Sequence, residues 1–377
     1  MKVVLIGTVS SSIFGFRKPL IQSLVRAGHE VHIFTTDLSS ELQERAWNEL
    51  RVYAETYTLA RTGMNPIIDV KNAWDLYRRL KILKPDCVFS YFSKPVIWGA
   101  FAARLAGIKC SYGMLEGLGH YFTDDPNGNS LKKTLVRAAQ IGLFRLSLPL
   151  LKGLVVLNPD DKKDLVEKYR IRQNNVMVLG GIGLDLEEYA YSKADLSRLR
   201  FVFVGRLLAE KGINEYLKAA RFVKQRHPEV EFVILGMPDP GNPGSVDEGY
   251  LDNLVFDGMV IYPGSVSNVS EWLAGSSVFV LPSYYREGVP RSTQEAMAVG
   301  RPIITTDAPG CRETIKDGEN GFKVPPHNPQ AVEIAMEKFI AEPDLILNMG
   351  KRSRELAEQY FDAEKVNRRL LRFLELS

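Results

Sequence analysis

The sequence predicts an α/β protein made of two doubly wound domains, each with a parallel sheet covered by helices on both faces. Three observations support this class. Short runs of apolar, largely β-branched residues alternate with segments whose apolar positions recur at helical spacing. The runs are apolar on both faces, which is typical of buried parallel strands. The series of runs also restarts after about residue 184.

The elements follow in chain order. Strands are predicted at residues 3–6, 31–34, 87–90, 154–157 and 176–179, and again at 201–204, 232–235, 260–262, 278–281 and 303–306. Helical spacing marks residues 18–27, 217–226, 292–299 and 331–340, and an amphipathic tail at 361–376. The polar stretch 185–197 is interpreted as a linker. The predicted domains are therefore 1–184 and 185–360, with a closing helical segment, 361–377, expected to pack back on the first domain.

Composition indicates an ordinary globular protein. The 377 residues are 45% hydrophobic and 25% charged. The three cysteines, Cys87, Cys110 and Cys311, are too few and too scattered for a disulfide framework or a thiolate metal site, which favours a reducing, cytoplasmic compartment. The first apolar run ends at Gly7, too early for a signal peptide, and no apolar stretch reaches the length of a spanning helix.

The charge is divided unevenly along the chain. Residues 1–180 carry 25 Lys and Arg against 16 Asp and Glu, whereas residues 181–377 carry 23 against 29. A basic half joined to an acidic half indicates that one domain faces an anionic partner. Nucleic acid, a phosphate-bearing ligand and an anionic membrane all satisfy that condition.

The strongest motif begins at Glu287 and ends at Glu295, directly after a predicted strand and a Pro-Ser turn. Pro290 and Ser292 suit a helix start, with the serine as the cap. A helix that begins here aims free N–H groups and its positive dipole end at a ligand, and so forms an anion site. The two carboxylates can accept bonds from sugar hydroxyls. Alternatively, one complements the helix dipole and Glu295 is a solvated helix residue.

A second motif leaves the first strand of the second half. It runs from Gly205 to Gly212 and carries Arg206 and Lys211. An arginine can donate two parallel hydrogen bonds to a diphosphate, and a lysine can place a single positive charge beside it. An ordinary basic surface loop is the alternative. The order of residues excludes a Walker A loop.

Together these motifs resemble the retaining glycosyltransferases of family 4, which have the GT-B fold of two Rossmann-like domains with a cleft between them. A strand-end Gly-Arg-x-x-x-x-Lys-Gly segment precedes a Glu-x7-Glu segment in that family, as Gly205–Gly212 and Glu287–Glu295 do here. The similarity is dense from Phe201 to Phe322 and weak in the N-terminal half. It implies an enzyme that transfers a sugar from a nucleotide-sugar donor.

The resemblance also implies roles for individual residues. Arg206 and Lys211 would hold the donor diphosphate, Glu287 would contact the transferred sugar and Glu295 the donor ribose. The backbone amides around Arg291, Ser292 and Thr293 would lie near the diphosphate. The family needs no metal or other cofactor, and the sequence has no carboxylate pair suited to a metal–diphosphate bridge. The cations and the helix end would stabilise the leaving group instead.

In the N-terminal half, family members have a glycine-rich loop after the first strand. This sequence has only Gly7 and Gly15 there, so that Gly15 is the candidate donor-binding position. Arg17 and the lysine after it could meet an acceptor phosphate or be solvated. The segment from Glu116 to Phe122 resembles a Glu-Gly-Leu-Gly stretch in bacterial transferases that extend lipid-linked oligosaccharides. Glu116 and His120 are therefore candidate catalytic or acceptor residues, although a lone histidine is more often structural.

The segment from Leu131 to Lys152 combines many apolar residues with Lys132, Lys133, Arg137 and Arg145. Such a basic amphipathic helix can lie on an anionic membrane surface. The alternative is a buried helix of the first domain. We therefore expect a polyprenyl-diphosphate-linked saccharide as acceptor and a location at the inner face of the cell membrane, with UDP sugars and N-acetylhexosamines suggested by the resemblance.

Two other functions are consistent with this fold. The same enzyme could act on a soluble acceptor. A non-enzymatic nucleotide- or nucleic-acid-binding protein is the second, but the sequence lacks a basic stripe interleaved with aromatic residues and any nucleic-acid motif, so no nucleic-acid partner is expected.

Overall fold

The computed structural model describes residues 1–59, 66–124, 128–242 and 244–377. The chain forms two compact units, one of residues 1–182 with 363–377 and the other of residues 183–362. The predicted linker, 185–197, lies within the second unit, where Leu184 and Tyr189 are buried. Each unit is an α/β domain with its own sheet.

The described part of the first unit contains seven strands in one parallel sheet, with the order β3-β2-β1-β4-β5-β6-β7. The strands are β1 (Lys2–Ile6), β2 (Glu30–Thr35), β3 (Tyr53–Thr56), β4 (Cys87–Tyr91), β5 (Cys110–Leu115), β6 (Gly153–Val156) and β7 (Val176–Val178). The helices are α1 (Ser11–Phe14), α2 (Lys18–Arg26), α3 (Ser40–Leu50), α4 (Pro66–Leu83), α5 (Ser93–Leu105), α6 (Leu131–Ser147) and α7 (Pro159–Lys163). Three shorter turns lie at His120–Phe122, Leu148–Leu150 and Asp164–Lys168.

The described part of the second unit contains a six-stranded parallel sheet with the order β10-β9-β8-β11-β12-β13. The strands are β8 (Arg200–Val204), β9 (Glu231–Leu235), β10 (Ile261–Gly264), β11 (Val278–Leu281), β12 (Ile303–Thr306) and β13 (Gly321–Val324). The helices are α8 (Ile213–Arg226), α9 (Glu248–Phe256), α10 (Val269–Ala274), α11 (Arg291–Val299), α12 (Pro329–Ala341) and α13 (Asp344–Tyr360). The last helix, α14 (Ala363–Phe373), packs on α2 and so belongs to the first unit.

Both sheets reverse their strand order at one point, between β1 and β4 and between β8 and β11. On one side of each point, β4 and β11 are buried throughout, as expected for parallel strands with helices on both faces. The predicted α/β class with two doubly wound domains is confirmed. Three strands were missed, β3, β5 and β13, because each is either short or interrupted by polar residues and glycine.

Candidate active site

Two loops at the carboxyl ends of β8 and β11 form the centre of the site in the second unit. They leave the sheet at its switch point, where doubly wound sheets bind ligands. The backbone carbonyl of Glu210 accepts hydrogen bonds from the N–H groups of Tyr284 and Tyr285, both at 2.9 Å, and from the Ser283 hydroxyl at 3.1 Å. These three bonds fix the β8 loop against the turn after β11.

Two glycines allow the loops around this centre to pack closely. Gly212 has φ 79°, and a Cβ there would overlap the carbonyl oxygen of Pro282. Gly310, with φ 82°, lies in the loop after β12, where a Cβ would come within 2.8 Å of the Glu287 carbonyl oxygen. Glycine reaches these left-handed conformations without steric cost. Three strand-end loops are therefore in contact around Glu287.

The centre of the site is an ion pair between Lys211 and Glu287. Their side chains are only 14% and 11% exposed. The Ser283 hydroxyl lies 3.3 Å from Oε1 of the same carboxylate, and the Lys211 ammonium nitrogen lies 5.5 Å from the centre of the Tyr285 ring. The Lys211 ammonium group is therefore held in place by the Glu287 carboxylate, which the Ser283 hydroxyl also contacts, and by the nearby Tyr285 ring.

Arg206 also lies near Tyr285, in a more open position. Its side chain is 51% exposed and pairs with Asp239 at 3.2 Å. The guanidinium carbon is 5.9 Å from the centre of the Tyr285 ring. The structure therefore places both predicted cations beside one ring, with Lys211 fixed and Arg206 able to leave its weak surface ion pair.

The N-terminus of α11 lies a few residues after Glu287 in the chain and has the features of an anion-binding helix end. The helix has no acidic residue in its first turn and no side-chain cap. The first N–H groups of a helix have no intrahelical acceptor, so those of Arg291, Ser292 and Thr293 are available to a ligand. The Thr293 hydroxyl is buried and has no partner among the described residues. The prediction of Ser292 as the cap was wrong, because extended backbone ends at Pro290 and Ser292 is the second helical residue.

Glu295 is largely buried, at 8% exposure, and is not a solvated helix residue. Its Oε1 accepts hydrogen bonds from Arg291 Nε at 2.7 Å and from the Tyr189 hydroxyl at 3.0 Å. Burial raises the pKa of Tyr189, and the adjacent carboxylate adds to the shift, so this hydroxyl remains a donor. Within the described chain, Oε2 of Glu295 has no hydrogen-bond partner and remains available.

Cys311 closes the buried side of the site. Its thiol lies 3.7 Å from the Ser283 carbonyl oxygen, which also accepts a bond from the Thr306 hydroxyl. Burial raises the pKa of Cys311 to about 12, with a further contribution from the charge of Glu287. The thiol is therefore protonated and serves as packing.

In the first unit, Arg17 and Glu116 form an ion pair at the corresponding switch point. Arg17 is only 2% exposed, and the side chain of Glu116 is 12% exposed. The guanidinium carbon lies 4.3 Å from the centre of the Tyr91 ring, at the end of β4. The Tyr91 hydroxyl lies 3.2 Å from the hydroxyl of Ser12. Arg17 is thus neither solvated nor open to a phosphate.

The other predicted residues of the first unit lie in nearby loops. Gly15 ends α1 and is exposed, as is Lys18. Gly117 and Gly119 have φ 99° and 81°, and they turn the chain into the short helical turn that begins with His120. The His120 ring is half-buried and lies edge-on to Tyr121, with ring centres 5.4 Å apart.

Sequence reasoning missed several residues of these clusters. Tyr189 was assigned to a linker, and Tyr285, Asp239 and Tyr91 were not singled out. Tyr285 and Tyr91 lie at or directly after the carboxyl ends of buried strands, which is a signal that sequence alone offers. Asp239 follows β9 in the same way, whereas the contact from Tyr189 to Glu295 spans 106 positions and has no local signal.

The basic amphipathic segment forms α6, which ends at Ser147 rather than at Lys152. Phe144 and Ser147 are buried, whereas Leu131, Leu135 and Leu146 are 76%, 61% and 65% exposed. The helix is therefore neither wholly buried nor wholly exposed. Arg137 does not face solvent freely, because it donates to the Tyr121 carbonyl at 2.5 Å and to Asp124 at 2.9 Å. Among the described residues, no helix combines the length and hydropathy needed to cross a bilayer.

Two Rossmann-like domains with these sheet orders have the architecture of the GT-B glycosyltransferases. Comparison with family profiles agrees. Residues 19–185 match the profile described as Glycosyltransferase Family 4, and residues 186–356 match Glycosyl transferases group 1. The chain belongs to the family 4 glycosyltransferases, and the predicted family is confirmed.

Curated relatives cover the chain well at modest identity. One is N,N'-diacetylbacillosaminyl-diphospho-undecaprenol alpha-1,3-N-acetylgalactosaminyltransferase of Campylobacter jejuni, 26% identical over 96% of this chain and 95% of the relative. Another is UDP-Gal:alpha-D-GlcNAc-diphosphoundecaprenol alpha-1,3-galactosyltransferase of Escherichia coli, 29% identical over 71% of this chain and 69% of the relative.

Solved structures confirm the fold. HepE of Anabaena in complex with UDP and glucose has a TM-score of 0.76 at 16% identity, covering 100% of this chain and 99% of that one. Sucrose-phosphate synthase of Thermosynechococcus elongatus has a TM-score of 0.80 at 17% identity, covering 100% and 98%.

Proposed function

We propose that this enzyme transfers a sugar, with retention of configuration and without a metal ion, from a UDP-linked donor to a polyprenyl-diphosphate-linked saccharide. The observation that carries the proposal is the Lys211–Glu287 pair, held on two strand ends in the unit that also contains the uncapped N-terminus of α11. This arrangement offers positive charge to a diphosphate and a carboxylate to a sugar.

The donor diphosphate is assigned to the cations and the start of α11. The N–H groups of Arg291, Ser292 and Thr293 point out of the helix end, and the buried Thr293 hydroxyl supplies a further donor. Lys211 and Arg206 add positive charge near the Tyr285 ring. Charge develops on the diphosphate as its bond to the sugar breaks, so these groups lower the barrier.

The two carboxylates bind the uncharged parts of the donor. The available Oε2 of Glu295 suits the ribose hydroxyls, because Tyr189 and Arg291 fix the other oxygen. Glu287, fixed by Lys211 and Ser283, suits the hydroxyls of the transferred sugar. Retention means that the new bond forms on the same face of the sugar as the bond that breaks.

Metal independence is proposed from the charge of the site. The described residues contain no group of three His, Cys, Asp or Glu side chains placed to hold a metal ion. Lys211, Arg206 and the helix end supply positive charge of the kind a divalent cation would bring.

The acceptor is proposed from the relatives. Both relatives described above are named for diphospho-undecaprenol-linked acceptors and transfer galactose or N-acetylgalactosamine. We therefore propose an N-acetylhexosamine or hexose donor. In the first unit, Glu116 is proposed as an acceptor contact oriented by Arg17, His120 as a catalytic residue and Gly15 as a point of close approach for the donor.

Attachment to the membrane is proposed through a face of the first unit formed by α4, α5 and α6, which pack side by side. Most of the exposed large apolar side chains described in that unit lie on these three helices, including Trp74, Leu105 and Leu135. Exposed Lys71, Arg78, Lys81, Lys132 and Arg145 accompany them. Aromatic, aliphatic and basic side chains on one face are typical of binding to an anionic lipid surface.

The donor assignment is tested by screening nucleotide sugars for thermal stabilisation and for transfer to a synthetic polyprenyl-diphosphate saccharide. We expect a UDP sugar to stabilise the protein and to be transferred, and Glu295→Gln to weaken UDP binding. Transfer from other nucleotide sugars but not from UDP sugars would show that the nucleotide assignment is wrong. Transfer only to water-soluble saccharides would favour the soluble-acceptor alternative.

The membrane assignment is tested with Lys132→Glu and Lys133→Glu together, because both lysines lie in the first turn of α6 and Arg137 is engaged elsewhere. Each cation near an anionic surface contributes about 1 kcal/mol, so reversing two charges should reduce sedimentation with anionic vesicles by more than tenfold. Donor hydrolysis should be retained, since its residues lie in the second unit. The matched control is Lys316→Glu together with Lys323→Glu in that unit. Equal vesicle binding by both pairs of variants would contradict the assignment.

A further inference from the structure

A groove on the first unit lies between α3 and the edge strand β3. It has a volume of about 560 Å³ and is lined by Gln43, Glu44, Trp47, Asn48, Val52, Tyr53, Ala54 and Glu55. This volume falls within the range of small-molecule sites. None of its lining residues takes part in the donor and acceptor clusters described above.

The groove contains a rigid aromatic platform. The Tyr53 ring stacks on His32 at 4.8 Å with an interplanar angle of 20°, and its centre lies 5.0 Å from that of Trp47. His32 is itself fixed by Glu30, 2.8 Å away. Nevertheless Trp47 and Tyr53 are 43% and 46% exposed. Exposed aromatic rings held in one orientation provide contact area at little cost in conformational entropy.

Polar side chains surround the platform on one side of α3. Gln43 and Glu44 lie one helical turn before Trp47 and Asn48, and within the described chain the side chains of Gln43, Glu44 and Asn48 make no hydrogen bond or ion pair. Glu55, at the other side, pairs with Arg79. Amide groups both donate and accept hydrogen bonds, and carboxylates accept them. The groove therefore presents hydrogen-bond donors and acceptors next to the apolar surface of the two rings.

This chemistry selects the kind of ligand. No lysine or arginine is among the lining residues, which disfavours phosphates and nucleotides. The nearby guanidinium of Arg51 is 5.8 Å from the Trp47 ring centre, and that of Arg79 pairs with Glu55. A pyranose has an apolar face of C–H groups that stacks on an aromatic ring and a rim of hydroxyls that both donate and accept. A neutral saccharide therefore matches the ring and the amides together.

We propose that the groove between α3 and β3 is a second saccharide-binding site, separate from the residues that carry transfer, with Trp47 and Tyr53 as the stacking surface and Gln43, Glu44 and Asn48 as hydroxyl partners. The site binds neutral pyranosides, such as units of a glycan that the enzyme has already extended. It does not depend on which donor or acceptor the enzyme uses.

The test is saturation-transfer NMR of the full-length protein with methyl α-glycosides of glucose, galactose, N-acetylglucosamine and N-acetylgalactosamine. NMR is preferred to fluorescence because the chain has four tryptophans. We expect saturable binding of at least one glycoside, weakened about fivefold or more by Trp47→Ala and by Tyr53→Ala, because each variant removes one ring of the stacking surface. Trp47→Phe should restore part of the affinity.

Two controls separate this site from others. Tyr250→Ala removes a comparably exposed ring, 42% exposed on α9, and should leave binding unchanged. Glu287→Gln should also leave it unchanged, which distinguishes the groove from the donor site. No saturable glycoside binding, or binding that survives Trp47→Ala, would overturn the proposal. Tighter binding of choline than of any glycoside would also overturn it, because two rings and two carboxylates would then act as a cation cage.

Discussion

Replacement of Glu287 separates its catalytic from its structural contribution. Its carboxylate is 11% exposed and lies against the ammonium of Lys211 and the hydroxyl of Ser283. Glu287→Ala leaves that ammonium nearly buried without its anion. Breaking a fully buried pair costs about 3–5 kcal/mol, and the remaining exposure of Lys211 should reduce the loss in free energy of unfolding to about 2–3 kcal/mol.

Glu287→Gln is the informative variant. The amide oxygen still accepts from Lys211 and Ser283, so the loss of stability should be about 1 kcal/mol, that of a single hydrogen bond. Transfer should nevertheless fall about 10²–10³-fold, as when one charge-stabilising contact is removed from a transition state. Lys211→Met, which removes the other partner, should reduce kcat by a similar factor, because we propose that the lysine charge stabilises the leaving diphosphate.

The assays are urea unfolding, calorimetric binding of UDP and initial rates of transfer. Glu319→Gln is the matched control, because Glu319 pairs with Arg352 in the same unit but is 51% exposed. It should change stability by less than about 1 kcal/mol and leave transfer unchanged. If Glu287→Gln is folded and transfers within about tenfold of the unmodified rate, the role assigned to this carboxylate is wrong.

Three further outcomes are expected. Tyr189→Phe should raise the KM for the donor several-fold with little change in kcat, because it removes one of the two bonds that orient Glu295 and leaves only the one from Arg291; an unchanged KM would contradict the ribose assignment. Transfer should survive EDTA, and complete inhibition that Mn²⁺ reverses would show that a metal holds the diphosphate. Cys311→Ala should flatten the fall in stability between pH 9 and 11. The folded pKa, about 12, lies above the unfolded value, so the native state holds the proton longer and loses about 1.4 kcal/mol per pH unit in that window; equal slopes in urea unfolding of both proteins would refute this.

The sequence predicted most of the elements that carry the donor site. The strands that end near Arg206 and Glu287 are short, continuous runs of apolar residues, and this apolar character identified them. The resemblance of the segments that contain Lys211, Glu287 and Glu295 to motifs of the family 4 glycosyltransferases indicated the class of enzyme. By contrast, β3 and β13 are short strands with charged residues, and β5 contains a glycine, so period could not reveal them.

Local pattern could not decide which side chains meet. Arg17 was open to two interpretations, and only the packing of the loop after β1 beside β4 and β5 shows that it is buried against Glu116 and Tyr91. Arg137 likewise belonged to the predicted basic amphipathic helix but binds Asp124 in the fold. In both cases the sequence shows that the side chain is charged, but the residue that binds it is not a neighbour in the chain and is known only from the fold.

The sequence by itself determined the two α/β domains and the mixed apolar and basic character of α6, because each depends on the spacing of residue types within a few turns. The residues proposed for the donor site came from the resemblance of two segments to family 4 motifs. The tertiary structure alone decided that Lys211 is tied to Glu287, that Tyr189 reaches Glu295 and that Trp47 and Tyr53 form one exposed platform. These contacts depend on how separate segments pack, and packing is fixed only when the whole chain buries its apolar surface.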